Sequence, residues 1–244
     1  MKKILCFLAI GALALQSCSS SSDDDDNASG VVLLKQTVET DADGSTFTST
    51  ATYNGTKINK VTSDGGYVVQ FTYTGDLITK VEYKLGGVLF QKETYTYNGS
   101  GQLTSYVMLE LEDDYGRKEN YVYNGDGTIS VSYFNGDTTS QTTSDGTGVI
   151  TFLPNGEVAT ITTSMGESHI YTYDNKNNPF KNVTGYGKIS FTDIGASGIM
   201  HNVVLDQMSF GADEIIYTYN ADNYPTVAVE GSGINEVTTT FTYY

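Results

Sequence analysis

A pair of aromatic residues separated by one residue recurs along the chain, and no other feature of the sequence constrains the fold as strongly. Six segments match aromatic-x-Tyr, and Thr occupies the middle position in five of them. Because residues two apart point to the same face of a β-strand, each pair places two rings on one face and its middle residue on the other. The pairs are Phe71/Tyr73, Tyr95/Tyr97, Tyr121/Tyr123, Tyr171/Tyr173, Tyr217/Tyr219 and Phe241/Tyr243.

A turn signal follows each of the first five pairs, so the pairs mark the ends of strands. After Tyr97, residues 98–101 (Asn-Gly-Ser-Gly) tolerate the positive φ that a hairpin reversal needs. The tyrosines before the turns step by 20, 24 and 26 residues from Tyr53 to Tyr123, a period that holds two strands and two turns. The sequence therefore predicts an all-β fold, a long antiparallel meander of roughly 14 to 16 strands made of repeated hairpins and curled into a barrel or half-barrel.

The interval from Tyr173 to Tyr219 breaks this rhythm and predicts one irregular insert. It spans 46 residues without the motif, and its part from Asp193 to Gly211 is apolar and glycine-rich. A closed barrel of about eight strands fills its interior with its own side chains, whereas a wider barrel leaves a cavity. We therefore predict that Asp193 to Gly211 lies against the tyrosine face as a plug or lid. Its large apolar side chains are Ile194, Ile199, Met200, Val203, Val204, Leu205, Met208 and Phe210.

The composition suits a β protein and argues against a nucleic-acid-binding surface. The 244 residues include 19 Tyr and 26 Gly but only 3 Pro and no Trp, as expected for hairpins with glycine turns. Lys and Arg total 13 against 29 acidic residues, which gives a formal net charge of −16. We expect no nucleic-acid partner, and acidity of this kind favours solubility and a monomer.

The N-terminus is typical of a secretory leader that ends in a lipidation motif. Lysines at positions 2 and 3 precede an apolar run from Ile4 to Leu15, which is too short to span a bilayer comfortably. Residues 15–18 (Leu-Gln-Ser-Cys) resemble a bacterial lipobox, with Gln16 as the one unusual residue. We predict a signal peptide at residues 1–17 and a lipid on Cys18. The alternative is an ordinary signal peptide with an incidental cysteine.

The residues after the signal peptide predict a disordered tether and the cellular location of the protein. Residues 18–30 are predicted to contain the lipidated cysteine followed by a spacer. The spacer should be disordered, because its serines and the run Asp23 to Asp26 cannot form a core. Residues 31–244 then form a single repeat-built β domain. The spacer is either a simple solvated tether or similar to the surface-export signal of Bacteroidetes lipoproteins. We predict lipid anchoring in the outer membrane with exposure at the cell surface, and exposure to the periplasm is the alternative.

Taken together, the motifs resemble those of an uncharacterised family of Bacteroidetes lipoproteins with a porin-like β fold. The likeness rests on the lipobox, the Ser/Asp tether, the tyrosine repeats and residues 177–183 (Asn-Asn-Pro-Phe-Lys-Asn-Val). It extends over residues 1–244. The repeats are also similar to tyrosine-aspartate repeats, although Asn usually replaces Asp and the arginine is missing. The resemblance implies a barrel-like fold and carries over no functional residue.

The sequence carries no catalytic signature, and we predict neither an enzyme nor a bound cofactor or metal. His169 and His201 lie 32 residues apart, and no cysteine can join them as a zinc ligand. Ser197 lacks the Gly-x-Ser-x-Gly spacing of a nucleophile elbow. The acidic run at residues 110–114 is predicted to be a solvated loop. Turn chemistry explains the half calcium loops at residues 41–44 and 124–129.

The tyrosine column leaves the function open between two classes. Its rings could stack on sugars, or they could fill the concave side of the sheet, which we favour. We predict a binding or structural role at the cell envelope, with a glycan or an envelope protein as the partner. The alternatives are a glycan-binding accessory protein of a nutrient-uptake system and, less favoured, a hydrolase. The candidate ligand contacts are Tyr73, Tyr97, Tyr123, Tyr173 and Tyr219.

The face opposite the tyrosines predicts that the barrel does not cross a membrane. A membrane-spanning barrel shows lipid a continuous apolar band. Here the residues between the paired rings are mostly threonines, which suit water. The threonines are Thr72, Thr96, Thr172, Thr218 and Thr242.

Replacing Cys18 by Ala tests the lipid anchor. The Cys18→Ala protein should lose its lipid and leave the membrane fraction, because several acyl chains on one residue give a stable anchor. Fatty-acid labelling and cell fractionation measure both effects. As a control, Ser17→Ala keeps a small residue before the cysteine and should stay anchored. A Cys18→Ala protein that remains labelled and membrane-bound would contradict the assignment.

Overall fold

The computed structural model describes residues 30–244. The predicted signal peptide, the lipidation site Cys18 and residues 18–29 of the tether lie outside the described residues. The domain boundaries predicted for that part of the chain therefore stay predictions.

The described residues form one antiparallel sheet of sixteen strands that closes on itself as a barrel. Each strand pairs with its neighbours in sequence, and β1 pairs with β16 to close the sheet. The prediction of an all-β hairpin meander is confirmed, and the barrel is closed rather than half-open. The strands are β1 Leu34–Asp41, β2 Thr46–Asn54, β3 Lys57–Ser63, β4 Tyr67–Thr74, β5 Leu77–Leu85, β6 Val88–Tyr97, β7 Leu103–Glu110, β8 Tyr115–Tyr123, β9 Ile129–Gly136, β10 Gln141–Phe152, β11 Val158–Thr163, β12 Ser168–Tyr173, β13 Val203–Met208, β14 Gly211–Tyr219, β15 Pro225–Glu230 and β16 Val237–Tyr243.

Helical structure within residues 30–244 is confined to short 3₁₀ turns. These are Asp64–Gly66, Tyr186–Lys188 and Gly233–Asn235. None of the helices described is long and apolar enough to cross a membrane.

The tyrosine pairs point into the barrel, as their alternation predicts. Five tyrosines of the interior are at most 5% exposed: Tyr95, Tyr106, Tyr121, Tyr133 and Tyr171. The threonines between the paired rings are all exposed on the outer wall. Strand β5 also carries an outward row in which Glu82 lies 2.8 Å from Lys80 and 3.5 Å from Lys84. The outer wall therefore presents hydroxyls and charges, together with scattered apolar side chains such as Val122 and Ile216.

A β-bulge accompanies six of the repeat strand ends, and it gives the second ring of each pair a structural role. The ladder shifts register at Tyr53, Tyr73, Tyr97, Phe152, Tyr173 and Tyr219. A bulge leaves backbone groups unpaired. The hydroxyl of Tyr97 donates to the carbonyl of Ile78 at 2.7 Å, and that of Tyr173 donates to Val158 at 2.9 Å. The second tyrosine of a pair thus caps a carbonyl on the neighbouring strand.

The irregular insert exists, but its bounds differ from the prediction of Asp193 to Gly211. It runs through residues 174–202, between β12 and β13. Its buried side chains include Phe180 and Val183, which precede the predicted segment, together with Phe191 and Ile194. The second half of the predicted segment is instead strand β13 and the turn into β14, because Val203–Met208 pairs with both neighbours. Phe210 at that turn is 96% exposed.

The insert covers one end of the barrel, which we call the closed end, where the turns that follow the tyrosine pairs lie. Thr184 donates its N–H to the carbonyl of Thr56 at 3.0 Å. Inside the barrel, Phe180 stacks on Tyr186 with ring centroids 4.5 Å apart. The described chain also begins here, since Tyr244 donates its N–H to the carbonyl of Leu33. We call the other end the open end.

Three carboxylates hold the backbone of the insert, and two of them, Glu119 and Glu157, are buried. Glu157 is 1% exposed and accepts N–H bonds from residues 199, 200 and 201 at 2.8 to 2.9 Å. Asp174 accepts from the backbone and side-chain nitrogens of Asn202 at 3.1 and 2.9 Å. Glu119 accepts from the N–H of Asp193 at 3.2 Å. A buried N–H without a partner is costly, so these three acids let an irregular segment enter an apolar interior.

Deleting one ring of the insert tests whether the insert is part of the core. Phe180→Ala should lower the free energy of unfolding by about 3 to 5 kcal/mol, the range for removing a large buried ring. Phe210→Ala is the matched control, and it should leave stability nearly unchanged because that ring is exposed. Urea unfolding of both variants measures the difference. Equal stability of the two variants would show that the insert is a dispensable loop.

Candidate functional site

A cavity of about 260 Å³ remains in the barrel above the insert. The wall contributes Val69, Val81 and Tyr83, and the insert contributes Ile189 and other residues of its second half. Sixteen strands enclose more space than their own side chains occupy, and the insert fills only part of that space. It is larger than two other cavities of the barrel, which measure about 40 and 20 Å³.

Carboxylates dominate the polar lining of this cavity. Neither Lys, Arg nor His is among its lining residues in the described chain, whereas five acids are. Two of these acids contact basic side chains behind the lining. Arg117 Nη1 lies 2.8 Å from Asp193 Oδ1, and His169 Nδ1 lies 2.9 Å from Asp206 Oδ2. The five acids are Glu93, Asp193, Asp206, Asp213 and Glu230.

Glu93 is held in the wall by tyrosine hydroxyls. Tyr95 and Tyr83 donate to its two carboxylate oxygens at 2.5 and 3.2 Å. Burial raises the pKa of Glu93, and the hydrogen bonds from the two tyrosines oppose that rise. The same arrangement recurs one repeat later, where the hydroxyl of Tyr121 donates to Glu119. In both repeats the inward tyrosine thus supports the acid two residues before it.

The insert wall of the cavity contains strained backbone. Asp193 and Ile194 both adopt left-handed conformations, with φ of 59° and 54°. For a β-branched residue this is a real outlier, and such a residue costs of order 1 to 3 kcal/mol. The contact of Asp193 with Arg117 and the burial of Ile194, which is 4% exposed, hold the backbone in this shape. The carboxylate of Asp193 is thereby presented to the cavity.

A second, smaller chamber of about 40 Å³ adjoins the first. The two share Phe180, Ile215 and Glu230 as lining residues, and the smaller one adds Thr37 and Glu39. Glu39 is 8% exposed. Burial, with smaller contributions from Asp41 and Glu230, raises the pKa of Glu39 to about 7. The smaller chamber therefore has two acids, Glu39 and Glu230, in its lining.

The main cavity reaches solvent near the open end of the barrel. Asp213 lines the cavity and is an exposed residue at the start of β14. The side chain of Asp193 lies deeper and is still 40% exposed. Because the described chain begins at the closed end, the mouth of the cavity points away from the side where the tether would attach.

The five tyrosines predicted as ligand contacts lie at the closed end, and none of them lines the main cavity. The hydroxyls of Tyr73, Tyr97 and Tyr173 donate to backbone carbonyls. The hydroxyl of Tyr219 donates to Asp174. Tyr123 is 36% exposed, so it is less buried than the other rings. A role of these five residues in ligand contact stays a prediction.

The other candidate groups are dispersed. His201, in the insert, has its Nδ1 3.4 Å from Glu157 Oε1. His169, on β12, contacts a different acid, Asp206. Ser197 lines the cavity without a histidine beside it. The acids of the half calcium loops accept bonds within their own turns, as Asp126 does from Thr128. The described residues contain no group of three or more side chains suited to hold a metal ion.

Alternation along the strands could have identified the acids that sequence reasoning did not single out. Glu93 and Glu119 each lie two residues before an inward tyrosine, and Asp213 lies four residues before Tyr217. Residues separated by an even number share a face, so these positions are inward unless a bulge intervenes. The five acids of the cavity come from β6, β13, β14, β15 and the insert. Their convergence depends on barrel closure, which alternation does not show.

Comparison with solved structures finds porin-like proteins at low similarity. A porin-like protein from Bacteroides uniformis matches with a TM-score of 0.35 and 13% identity, over 82% of this chain and 79% of that chain. A porin-like protein from Bacteroides vulgatus matches with a TM-score of 0.42 and 11% identity, over 88% of this chain and 99% of that chain. No protein-family model and no curated protein matches the sequence. Membership of the lipoprotein family that the sequence resembles stays a prediction.

The raised pKa of Glu39 predicts a specific pH dependence of stability. Its folded pKa of about 7 lies above the unfolded value of about 4.3. The folded state therefore binds more protons between these values, and this group's contribution to stability falls as pH rises through the window. Glu39→Gln should melt near wild type at pH 5 and higher than wild type at pH 8.

Thermal unfolding of wild type and Glu39→Gln at pH 5, 6, 7 and 8 measures this effect. Glu214→Gln is a suitable control, because Glu214 is exposed on β14 and should give the same small change at every pH. A difference between Glu39→Gln and wild type that does not vary with pH would show that Glu39 titrates like an exposed acid.

Proposed function

We propose that this protein is an envelope lipoprotein that binds a small ligand inside its barrel. The lipid on Cys18 holds it at the outer membrane, and the main cavity receives the ligand. The single observation that carries the proposal is a cavity of about 260 Å³ that reaches solvent near the open end. Ligand sites are typically concave, mostly apolar and equipped with a few convergent polar groups.

The lining of the cavity supports binding over a purely structural role. It combines apolar side chains such as Val81 and Ile189 with rings such as Tyr106 and with the carboxylates. A barrel needed only for support would gain by filling this space, because an unfilled interior forfeits packing. The strained backbone at Asp193 also lies on this surface, and strain of this kind concentrates at functional sites.

The outer wall supports a tethered protein rather than a membrane-spanning one. Charged side chains on a lipid-facing barrel wall cost about 2 to 4 kcal/mol for Lys or Arg at the bilayer midplane. The row of Lys80, Glu82 and Lys84 on β5 alternates with Val81 and Tyr83, which line the cavity, so the row faces outward. A lipid on Cys18 would then supply the membrane attachment, with the cavity mouth pointing away from it.

The glycan-binding alternative would use the same interior rather than the tyrosine column at the closed end. Sugars pack on aromatic rings and need exposed hydroxyl partners. The hydroxyls of Tyr97 and Tyr173 are already bonded to backbone carbonyls. Binding of residues 28–244 to a glycan array would favour this alternative if a variant with a filled cavity no longer binds.

Filling the cavity tests the proposal. Ala196→Trp places an indole in the cavity wall of the insert and should prevent ligand retention. Ala212→Trp is the matched control, because Ala212 is exposed beside Asp213 on β14. Native mass spectrometry after incubation with a small-molecule extract of bacterial cells measures retained compounds. Wild type and Ala212→Trp should retain the same compound, and Ala196→Trp should not.

Two results would contradict the cavity as the binding site. One is equal retention by Ala196→Trp and wild type. The other is that the wild-type protein retains no compound from any of the extracts.

A further inference from the structure

Strand β14 pairs with each of its neighbours over about half of its length. Residues 211–214 pair with residues 205–208 of β13. The pairing of β14 with β15 begins only at Ile215, which is opposite Glu230. Residues 211–214 therefore have no ladder partner on the side towards β15. We call this side of residues 211–214 the β14 edge.

The β14 edge presents backbone groups that can accept a further strand. Backbone groups of an antiparallel strand alternate between its two neighbours, so two of these four residues direct an N–H and a C=O towards the β14 edge. Within residues 30–244, no other segment supplies a backbone hydrogen bond to residues 211–214 on this side. All four residues are exposed. A Cβ atom placed on Gly211 would meet no atom within 4 Å, so the edge is accessible to another chain.

Two other strands extend beyond a neighbour at the open end, but other features protect their edges. On β2, the N–H of Thr48 donates to a carboxylate oxygen of Asp64 at 2.7 Å. On β10, residues 141–146 lie beyond β11, and the ladder with β9 shifts register twice there. Bulges of this kind twist an edge away from pairing. Residues 211–214 pair with β13 without a register shift, so the β14 edge keeps the regular geometry that strand addition needs.

Exposed apolar side chains adjoin the β14 edge. Phe210, in the turn that precedes the edge, is 96% exposed, and Ile234, in the turn between β15 and β16, is 93% exposed. The turn that carries Phe210 is anchored to its neighbour, because Ser209 Oγ donates to the carbonyl of Gly166 at 2.8 Å. When a peptide adds to a sheet edge, backbone hydrogen bonds give affinity and side-chain contacts give specificity. Phe210 is placed to supply such a contact.

The charge of the open end selects the occupant of the β14 edge. The eight turns at this end contain acids but neither Lys, Arg nor His. The edge itself carries Asp213 and Glu214, which lie on opposite faces because side chains alternate along a strand. A second copy of the chain would bring the same acids together, and like charges directly opposite each other destabilise a strand pair. A strand with two consecutive basic residues would place one beside each acid.

We infer that the β14 edge is a docking site for an extended, basic segment of a partner protein, which adds to β14 as a further strand. The backbone groups of residues 211–214 supply affinity. Asp213 and Glu214 select two consecutive basic residues, and Phe210 contacts an apolar residue of the same segment. This inference goes beyond the proposed function and does not depend on a ligand in the main cavity.

Peptide probes test strand addition on residues 28–244, which contain the whole closed barrel. The lysine peptide is acetyl-Val-Thr-Lys-Lys-Val-Val-Thr-amide, and the glutamate peptide has Glu in place of both lysines. In an NMR titration with the lysine peptide, the amide resonances of residues 211–214 should shift and those of the closed end should not. The glutamate peptide should bind at least about tenfold more weakly, because two attractive cross-strand pairs become repulsive.

Backbone methylation separates strand addition from a general attraction of charges. Two further lysine peptides carry N-methyl groups at alternate residues, one at the odd positions and the other at the even positions. Only one of these two sets of N–H groups faces β14 in an added strand. One methylated peptide should therefore bind at least about tenfold more weakly than the parent, and the other should bind within about threefold of it.

Variants of the protein locate the contacts. Glu214→Lys should weaken binding of the lysine peptide by about tenfold and strengthen binding of the glutamate peptide, because it reverses one cross-strand charge pair. Glu112→Lys, at an exposed position of another open-end turn, changes the net charge equally and should alter neither affinity by more than about twofold. Phe210→Ser should weaken binding of the lysine peptide by about fivefold through lost apolar contact. Val122→Ser, at a 61% exposed position of β8, should not weaken it.

Four results would overturn the inference. The first is that the lysine peptide does not bind the wild-type protein at millimolar concentration. The second is that the lysine and glutamate peptides, or the two methylated peptides, bind equally. The third is that the resonance shifts lie away from residues 211–214. The fourth is a dimer of the free protein in sedimentation experiments that Glu214→Lys alters, because a second copy would then be the occupant of the edge.

Discussion

The width of the closed sheet determines the rest of this structure. Sixteen strands enclose more volume than their inward side chains fill, so the interior needs additional chain. The insert at residues 174–202 supplies it, and buried acids of the wall satisfy its backbone. Glu157 is central to this arrangement, since it accepts three consecutive N–H groups of the insert. A segment without regular hydrogen bonding can thereby stay inside an apolar barrel.

The same constraint accounts for the cavity. The insert enters from the closed end, where the repeat tyrosines cap bulged strands, and it extends as far as the contact between Asp193 and Arg117. Tyrosines near the middle of the barrel bond to acids of the wall, as Tyr95 does to Glu93. The result is a chamber with apolar surface, rings and carboxylates, which is the composition expected of a site for a small polar-headed ligand.

Much of this fold follows from local patterns in the sequence, and much of the site does not. The two-residue alternation of Tyr95 and Tyr97 and the turn after them predict strand, face and hairpin. The insert is predictable as a break in the repeat, but its bounds are not, because the strand β13 follows it without a tyrosine pair. The placement of Glu39 and Glu230 on either side of β16 in one chamber depends on closure between the first and last strands. No local pattern encodes a contact between residues that distant in the chain.

Hydrogen exchange tests most directly whether the insert is an ordered part of the barrel interior or a mobile surface loop. The amides of Ile199 and Met200 are bonded to Glu157, so they should exchange as slowly as those in the middle of β11. Glu157→Gln should speed their exchange while the strands stay protected. Exchange of these amides at the rate of an exposed turn in the wild-type protein would contradict the account.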